Sequence, residues 1–205
     1  MPKASEVGVS FDHWCFACGR ANPQSLKCDF DVSRDRVETR YVGRREHSGY
    51  DGTIHGGILA TLLDEVMAWA TFVREGTWGV TARLALEFRR PLLVGEEARV
   101  AAEVVRVRGR VVELRAEARR GDEVLVSAHA TYVKMPEDRA RELSERYGDP
   151  ARIQELLVGP RLDATAYRSR EVPGDLERRS RGPGLREGER SEPQWGGHSP
   201  GGGRT

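Results

Sequence analysis

The sequence predicts an α+β domain in which one antiparallel β-sheet wraps around a single long helix, followed by a disordered C-terminal tail. A nearly continuous apolar run of 16 residues, 58–73, is too long for an average strand and is typical of a buried helix. Four strand-like runs follow it, and the short turns between them favour antiparallel hairpins. The last 46 residues, from Pro160, hold 9 of the 23 glycines, 5 of the 10 prolines and 16 charged side chains, a composition typical of disorder.

Three short segments precede the helix. Residues 1–25 contain two of the three cysteines and lead to the turn signal Asn22-Pro23. Residues 26–32 alternate between apolar and polar side chains, which predicts a half-buried strand, and residues 36–42 alternate again. A glycine-bearing loop, 47–53, leads to the helix. We therefore expect a cysteine-containing segment, 1–25, followed by a domain that spans 26–135.

The strands after the helix are predicted at 80–88, 98–107, 111–118 and 124–133. In the first of them one face is predicted to carry Val80, Ala82, Leu84, Leu86 and Phe88. Pro136 begins a stretch of surface helices, 136–159, and the tail covers 160–205. A single sheet of this size leaves edges and apolar area for a second copy to cover, which predicts at least a dimer.

Composition and charge argue against several classes of function. The chain has 205 residues and a net charge of +1, so no global field attracts nucleic acid or an anionic membrane. Asp64 and Glu65 interrupt the apolar run at its middle, which argues against a membrane span. The first ten residues lack the apolar segment of a signal peptide, and an odd number of cysteines makes no disulfide framework. We therefore expect a cytoplasmic protein.

The long helix carries a narrow acidic stripe. Spacings of three and four residues are predicted to place Thr61, Asp64 and Glu65 on one face. A carboxylate beside a hydrophobic core is costly unless it is paired, hydrogen-bonded or hydrated. One interpretation is structural, in which the acids reach solvent or an arginine such as Arg83. The other is functional, because perturbed carboxylates also mark active sites.

The residues directly before the helix, His55-Gly56-Gly57, favour the functional interpretation. The first N–H groups of a helix have no internal partner, and glycines let a ligand atom approach the backbone. These amides and the helix dipole suit the oxyanion of a carbonyl that becomes tetrahedral. The alternative is a Gly-Gly turn that only starts the helix tightly, with His55 packed locally.

The segment YDGTIHGGILATLLDEVM, 50–67, resembles the signature of the PaaI-like hotdog-fold thioesterases. The strand that begins Gly79-Val80-Thr81 and the following Gly95-Glu96 also fit that family, so the resemblance covers about residues 15–135. It implies a hotdog fold, in which an antiparallel sheet wraps a central helix, and a homodimer or a dimer of dimers. It also implies active sites at the subunit interface, an acyl-CoA substrate, and no cofactor beyond the coenzyme A of that substrate.

The resemblance also implies roles for single residues. Asp64 corresponds to the catalytic carboxylate, acting as general base on water or as nucleophile. Gly56 supplies the backbone N–H for the thioester oxygen, with His55 and Gly57 on either side of it. Thr81 matches a hydroxyl-bearing position that assists the acid.

One position departs from the family pattern. Many members carry an asparagine six residues before the histidine, where this chain has Gly49. His47, Ser48 and Asp51 lie nearby in sequence, although none is at the matching position. Glu65 is a possible second carboxylate for the substrate, although its adjacency on the helix turns it about 100° away from Asp64.

Two pairs of arginines are candidates for binding the phosphates of the coenzyme. Arg89 and Arg90 end the strand of Thr81, and Arg108 and Arg110 flank a hairpin that resembles the family's coenzyme-contacting loop. Guanidinium groups bind phosphates in a bidentate manner. The alternative is that all four are solvated charges, which contribute little energy in any ion pair.

The cysteine-containing segment leaves three interpretations open. Its candidate metal ligands are Cys15, Cys18, Cys28 and His13, a set that could bind zinc tetrahedrally. A structural zinc site usually has two paired knuckles, and the second is missing from this sequence. The other interpretations are packing and redox chemistry.

The sequence thus predicts an acyl-CoA thioesterase that hydrolyses a thioester to a free acid and coenzyme A. The alternative is a non-catalytic acyl-CoA-binding or regulatory hotdog protein, which Gly49 motivates. Neither nucleic acid nor a membrane is an expected partner.

Overall fold

A computed structural model of the chain describes residues 1, 3–7 and 9–158. The predicted disordered tail, 160–205, lies outside the described residues. The strands are β1 Asp31–Val32, β2 Val37–Val42, β3 Ser48–Tyr50, β4 Thr53–Ile54, β5 Gly79–Phe88, β6 Glu97–Arg108, β7 Val111–Arg120 and β8 Glu123–Lys134. The helices are α1 Gly56–Glu75, α2 Glu137–Tyr147 and α3 Pro150–Val158, with 3₁₀ turns at Ala4–Val7 and Arg45–His47.

Six strands form one antiparallel sheet around α1, in the order β1-β2-β6-β7-β8-β5. Alternate residues of β6, β7 and β8 are buried, as expected for strands with one face on a core. The predicted α+β class, with one long helix wrapped by an antiparallel sheet, is confirmed. Within residues 47–54 the predicted loop forms a small hairpin of β3 and β4.

The helix α1 is the centre of the core. Its side chains Leu62, Leu63, Val66 and Met67 have no exposed surface. The helix begins after His55, whose ring accepts a hydrogen bond from the Gly57 N–H, and it ends at Gly76, which has a left-handed φ of 59°. Among the described residues, α1 is the one helix long and apolar enough to cross a bilayer, and here it is the core helix of the domain.

The strand β5 departs from the predicted alternation. Thr81 pairs with Tyr132 and Arg83 pairs with Thr131, so Ala82 is an extra residue that forms a β-bulge. Leu84, Leu86 and Phe88 are opposite the buried residues of β8, as predicted for the helix side. The prediction that Val80 shares their face is wrong, because the bulge at Ala82 places Thr81 on that side instead.

The segment predicted as a strand at 26–32 is regular only at β1. Its alternate residues, Leu26, Cys28, Phe30 and Val32, are buried as predicted. Lys27, however, has a left-handed φ of 59°, which a continuous strand does not allow. Leu26 and Cys28 donate their backbone N–H groups to carbonyls of Phe16 and Ala17, so the segment is joined to the cysteine turn.

The two C-terminal helices of the described region pack differently from each other. The indole N–H of Trp78 donates to Ser144 Oγ on α2 at 3.0 Å. On α3, Ile153 and Gln154 are buried, and Gln154 donates to the Arg74 carbonyl at the end of α1 at 2.7 Å. Thus α3 is attached to the core helix, whereas the sequence predicted only surface helices there.

Candidate active site

Asp64 lies at the middle of α1 and is held by two hydroxyl groups. Thr81 Oγ1 donates to Asp64 Oδ1 at 2.8 Å, and Tyr132 Oη donates to the same oxygen at 2.6 Å. No described residue donates a hydrogen bond to Oδ2. The carboxylate therefore has one oxygen fixed by the sheet and one oxygen available for chemistry.

Tyr132 is a member of this site that the sequence analysis missed. Its side chain is 1% exposed, and its hydroxyl is also 2.7 Å from the Asp64 carbonyl. Burial, followed by the hydrogen bond to Asp64, raises the pKa of Tyr132 above its ordinary value, so the phenol stays a donor. In the sequence this residue is indistinguishable from other inward-facing residues of β8.

One backbone N–H in the first turn of α1 has no hydrogen-bond partner among the described residues. The Gly57 N–H donates to His55 Nδ1 at 2.9 Å, and the Ile58 N–H donates to the His55 carbonyl at 2.9 Å. The Gly56 N–H makes no hydrogen bond to any described residue. His55 therefore acts on the helix as its N-cap, and Gly56 is the amide free to bind an oxyanion.

A cavity of about 590 Å³ opens at this helix terminus. His55, Gly56 and Phe88 line it, together with the predicted phosphate-binding residues Arg89 and Arg90. The ring of Phe88 packs so close to Gly56 that a Cβ there would lie 3.2 Å from it. The cavity thus combines an apolar wall, a free amide and two cations.

Gly49 is packed against the N-cap of α1. A Cβ at this position would lie 3.2 Å from both the Cα and the ring of His55. The nearby His47 is engaged elsewhere, because its ring bonds to Tyr41 Oη at 2.7 Å and Arg44 Nη2 at 3.2 Å. Burial, followed by the Arg44 charge, lowers the pKa of His47. His47 is therefore not placed to replace the asparagine that many family members carry.

The predicted catalytic residues form two groups within one protomer. Gly56 and Asp64 are eight residues apart on α1, which corresponds to about 12 Å along the helix axis. On β5, Phe88 contacts the first group and Thr81 contacts the second, about 20 Å apart along the strand. A single thioester carbonyl cannot contact both groups in one protomer.

The second arginine pair lies away from the cavity. Arg108 and Arg110 are exposed at the hairpin between β6 and β7. Arg110 donates from Nε and Nη2 to the Lys134 carbonyl at 3.0 and 2.8 Å. Since Lys134 pairs with Gly79, this pair lies toward the Thr81 end of β5.

Glu65 faces the cysteine segment, so the predicted common face with Asp64 is wrong. Cys18 Sγ donates to Glu65 Oε1 at 2.9 Å, and Cys15 Sγ lies 3.8 Å from both carboxylate oxygens. Adjacent helix residues differ by about 100° around the axis, which separates the two acids. Glu65 therefore lies apart from the other residues that the sequence predicted to bind substrate.

The protonation of this cluster is strongly perturbed. Burial raises the pKa of the Glu65 carboxyl to about 7. Donation from the Cys18 thiol lowers the pKa of Cys15 to about 5, and the same bond together with burial raises the pKa of Cys18. Burial raises the pKa of Cys28 to about 12. The cluster therefore favours a thiolate at Cys15 and a protonated thiol at Cys18.

The fold and a family comparison together define the class of protein. Residues 51–127, which contain α1, β5, β6 and β7, match the family model of the thioesterase superfamily. The sheet order and the central helix are those of the hotdog fold that the resemblance implied. The predicted resemblance is confirmed: the described residues have the hotdog fold, and the segment 51–127 within them is similar to the thioesterase superfamily.

Particular relatives agree with this class. Acyl-coenzyme A thioesterase 13 of Mus musculus is 29% identical over 87 residues, 42% of this chain and 54% of the relative. The mitochondrial membrane protein FMP10 of Saccharomyces cerevisiae is 32% identical over 104 residues, 48% of this chain and 42% of the relative. The chain therefore spans about half the length of these curated relatives.

Solved structures share the architecture. The conserved protein PA5202 from Pseudomonas aeruginosa is 26% identical with a TM-score of 0.51, covering 54% of this chain and 90% of that one. The thioesterase superfamily protein RHA08564 is 25% identical with a TM-score of 0.54, covering 58% and 60%. The Escherichia coli PaaI protein is 16% identical with a TM-score of 0.51, covering 55% and 83%, and shows the fold.

Proposed function

We propose that this protein hydrolyses acyl-CoA thioesters, with Asp64 as the catalytic carboxylate. The observation that carries this proposal is the fixed orientation of Asp64 by Thr81 and Tyr132, which leaves Oδ2 free. The similarity to mouse acyl-coenzyme A thioesterase 13 supports the substrate class. The reaction uses water, one carboxylate and a backbone amide, and needs no cofactor beyond the coenzyme A of the substrate.

The chemistry follows from the free groups of the site. Asp64 Oδ2 takes a proton from water, and the water oxygen attacks the thioester carbonyl. The Gly56 N–H and the dipole of α1 stabilise the negative oxygen of the tetrahedral intermediate. The intermediate collapses to a carboxylic acid, and the coenzyme leaves as a thiolate that takes up the proton held by Asp64, which restores the carboxylate. Direct attack by Asp64 on the carbonyl is the alternative use of the same oxygen.

The distance between Gly56 and Asp64 supports a site that is shared by two protomers. Because β5 ends the sheet, its outer edge can pair with β5 of a second copy. In a twofold antiparallel pairing, the Thr81 end of one strand lies beside the Phe88 end of the other. Thr81 is hydrogen-bonded to Asp64, and Phe88 packs against Gly56. The acid of one protomer therefore lies beside the amide of its partner. We therefore propose a homodimer, either alone or paired into a dimer of dimers, in the cytoplasm.

Replacement of Asp64 tests the catalytic proposal. We expect Asp64→Asn to lower the turnover of each acyl-CoA in a panel by about 10²–10⁴-fold. Turnover is measured as the release of free thiol. Asp122→Asn is the matched control, because it makes the same chemical change in an exposed turn between β7 and β8. Near-full turnover by folded Asp64→Asn would overturn the assignment.

Mixing two inactive variants tests the shared site. Asp64→Asn removes the acid, and Gly56→Pro removes the amide N–H. After subunit exchange, half of the dimers combine one of each variant and hold one intact site, which gives about a quarter of the wild-type sites. If subunit exchange is demonstrated and activity still does not recover, each site lies within one protomer.

A non-catalytic acyl-CoA-binding protein is the second candidate. Gly49 favours it, since the position that often carries an asparagine amide offers no side chain and has His55 packed against it. Calorimetry that detects acyl-CoA binding without thiol release would support this function over hydrolysis.

A further inference from the structure

The cysteine turn holds two thiols in a tight backbone loop. The Gly19 N–H donates to the Cys15 carbonyl at 2.9 Å, closing a single helical turn over Cys15–Gly19. A Cβ at Gly19 would lie 2.2 Å from the His13 carbonyl oxygen and 2.6 Å from the Cys15 nitrogen, so only glycine fits here. The turn therefore fixes Cys15 and Cys18 relative to each other.

A carboxylate from α1 completes the cluster. The Sγ atoms of Cys15 and Cys18 and a carboxylate oxygen of Glu65 all lie within 4.8 Å of one another. Cys18 is 4% exposed, and no lysine or arginine forms an ion pair with Glu65 among the described residues. The hydrogen-bond partners of this partly buried carboxylate are thiols and the Trp69 side chain, none of which is a cation.

The separation of Cys15 from Glu65 is close to that around one tetrahedral zinc ion, whereas the separation of Cys18 from Glu65 is shorter. Metal–sulfur bonds of about 2.3 Å and metal–oxygen bonds of about 2.1 Å place two sulfurs about 3.8 Å apart and a sulfur and an oxygen about 3.6 Å apart. Cys15 Sγ is 3.8 Å from both Glu65 oxygens, and Cys18 Sγ is 2.9 Å from Oε1. A small outward rotation of Cys18 or Glu65 creates the space for the ion.

The other predicted ligands lie outside this group. His13 accepts the Cys15 N–H through Nδ1 at 3.3 Å, and its ring packs edge-on against Tyr147 at 5.5 Å. Cys28 is buried, but it is not within reach of the three ligand atoms together. The predicted set of three cysteines and one histidine is thus replaced by two cysteines and one glutamate.

We propose that Cys15, Cys18 and Glu65 bind one Zn²⁺ ion, with water in the fourth position. Thiolate sulfur and carboxylate oxygen together suit zinc better than the hard cations Mg²⁺ and Ca²⁺. The ion joins the cysteine turn to the core helix and so attaches residues 11–28 to α1. This role is structural and does not depend on the proposed thioesterase activity.

The test measures metal binding directly in the full-length protein. Reduced protein, stripped with a chelator, is titrated with Zn²⁺ against a chromophoric zinc indicator, and Co²⁺ is used as a spectroscopic probe. We expect one equivalent of Zn²⁺, thiolate-to-cobalt absorption bands, and a higher Tm with zinc. Cys15→Ser and Glu65→Gln are each expected to weaken zinc binding at least about tenfold.

One control variant and one mass measurement make the outcome decisive. Cys28→Ala removes a buried thiol outside the cluster and is expected to keep the full equivalent of zinc. Glu65→Gln retains both thiols, so it reports on the carboxylate even if a cysteine variant fails to fold. Zinc binding below a tenth of an equivalent in reduced protein, or equal affinity of wild type and Glu65→Gln, would overturn the site. A Cys15–Cys18 disulfide that resists reductant, detected by mass, would also overturn it.

Discussion

Gly56 offers a substitution that removes one hydrogen-bond donor and leaves the helix in place. It is the first residue of α1, and His55 before it has the extended conformation (φ −60°, ψ 133°) that precedes a proline. Proline is favoured at this first helical position, because the missing N–H has no partner inside the helix. Gly56→Pro therefore removes the proposed oxyanion donor without breaking a hydrogen bond within the domain.

The size of the effect follows from the neighbouring amides. Gly57 and Ile58 both donate to His55, so no other amide of the first turn is free to replace Gly56. Loss of one oxyanion donor costs about 10²–10³-fold in kcat, or about 3–4 kcal/mol. The donor acts on the transition state, so kcat and kcat/KM should fall together. Stability should be unchanged or rise by about 0.4–1 kcal/mol, because proline restricts the unfolded chain.

The assay compares Gly56→Pro with Gly56→Ala on one acyl-CoA, with thermal unfolding measured in parallel. Alanine adds the Cβ, which Phe88 must accommodate at 3.2 Å, but keeps the N–H. We expect less than about a tenfold loss for alanine and at least a hundredfold loss for proline. Equal losses for the two variants, at equal Tm, would refute the role of the Gly56 amide and attribute the effect to crowding of Phe88.

Three further variants test other contacts. Tyr132→Phe should lower the free energy of unfolding by about 1.5–3 kcal/mol, and by much less in an Asp64→Ala background; equal costs in both backgrounds would contradict the coupling. Gly19→Ala should destabilise by about 2–3 kcal/mol and speed proteolysis within residues 1–25, because its Cβ overlaps backbone atoms; unchanged protease resistance would contradict this. Joint replacement of Arg108 and Arg110 by alanine should raise KM up to about tenfold for an acyl-CoA but not for the same acyl group on a short thiol; an equal response to both substrates would show that these arginines do not contact the coenzyme.

The sequence was sufficient for the parts of the fold that follow regular periodicity. The long apolar run corresponds to α1, and the alternating runs at 98–107, 111–118 and 124–133 correspond to β6, β7 and β8. Local backbone conformations were not predictable in the same way. The left-handed Lys27 and the extra residue Ala82 break the alternation of otherwise normal strand sequences. Nothing in their side chains signals this, because both are set by hydrogen bonds to distant segments.

In the candidate site, too, the local sequence predicted some residues and missed those that depend on distant segments. Asp64, Gly56 and His55 could be found because their chemistry is concentrated within ten residues of sequence. Tyr132 could not, since it reaches Asp64 from a strand 68 positions away. Glu65 was placed with Asp64 because spacing alone does not reveal that the cysteine turn covers its side of the helix. Contacts between distant segments decided both cases.

The bulge in β5 makes this strand tolerant of one particular deletion. Loss of Ala82 alone would preserve the pairing of Leu84, Leu86 and Phe88 with β8, so the sheet and its apolar face would survive. It would also keep Thr81 opposite Tyr132, because without the extra residue the two strands pair as a regular ladder. Relatives one residue shorter at this point would then keep both the fold and the hydroxyl beside the carboxylate. An ungapped alignment through this strand would hide that equivalence, because it would compare Thr81 with a position that faces the other side of the sheet.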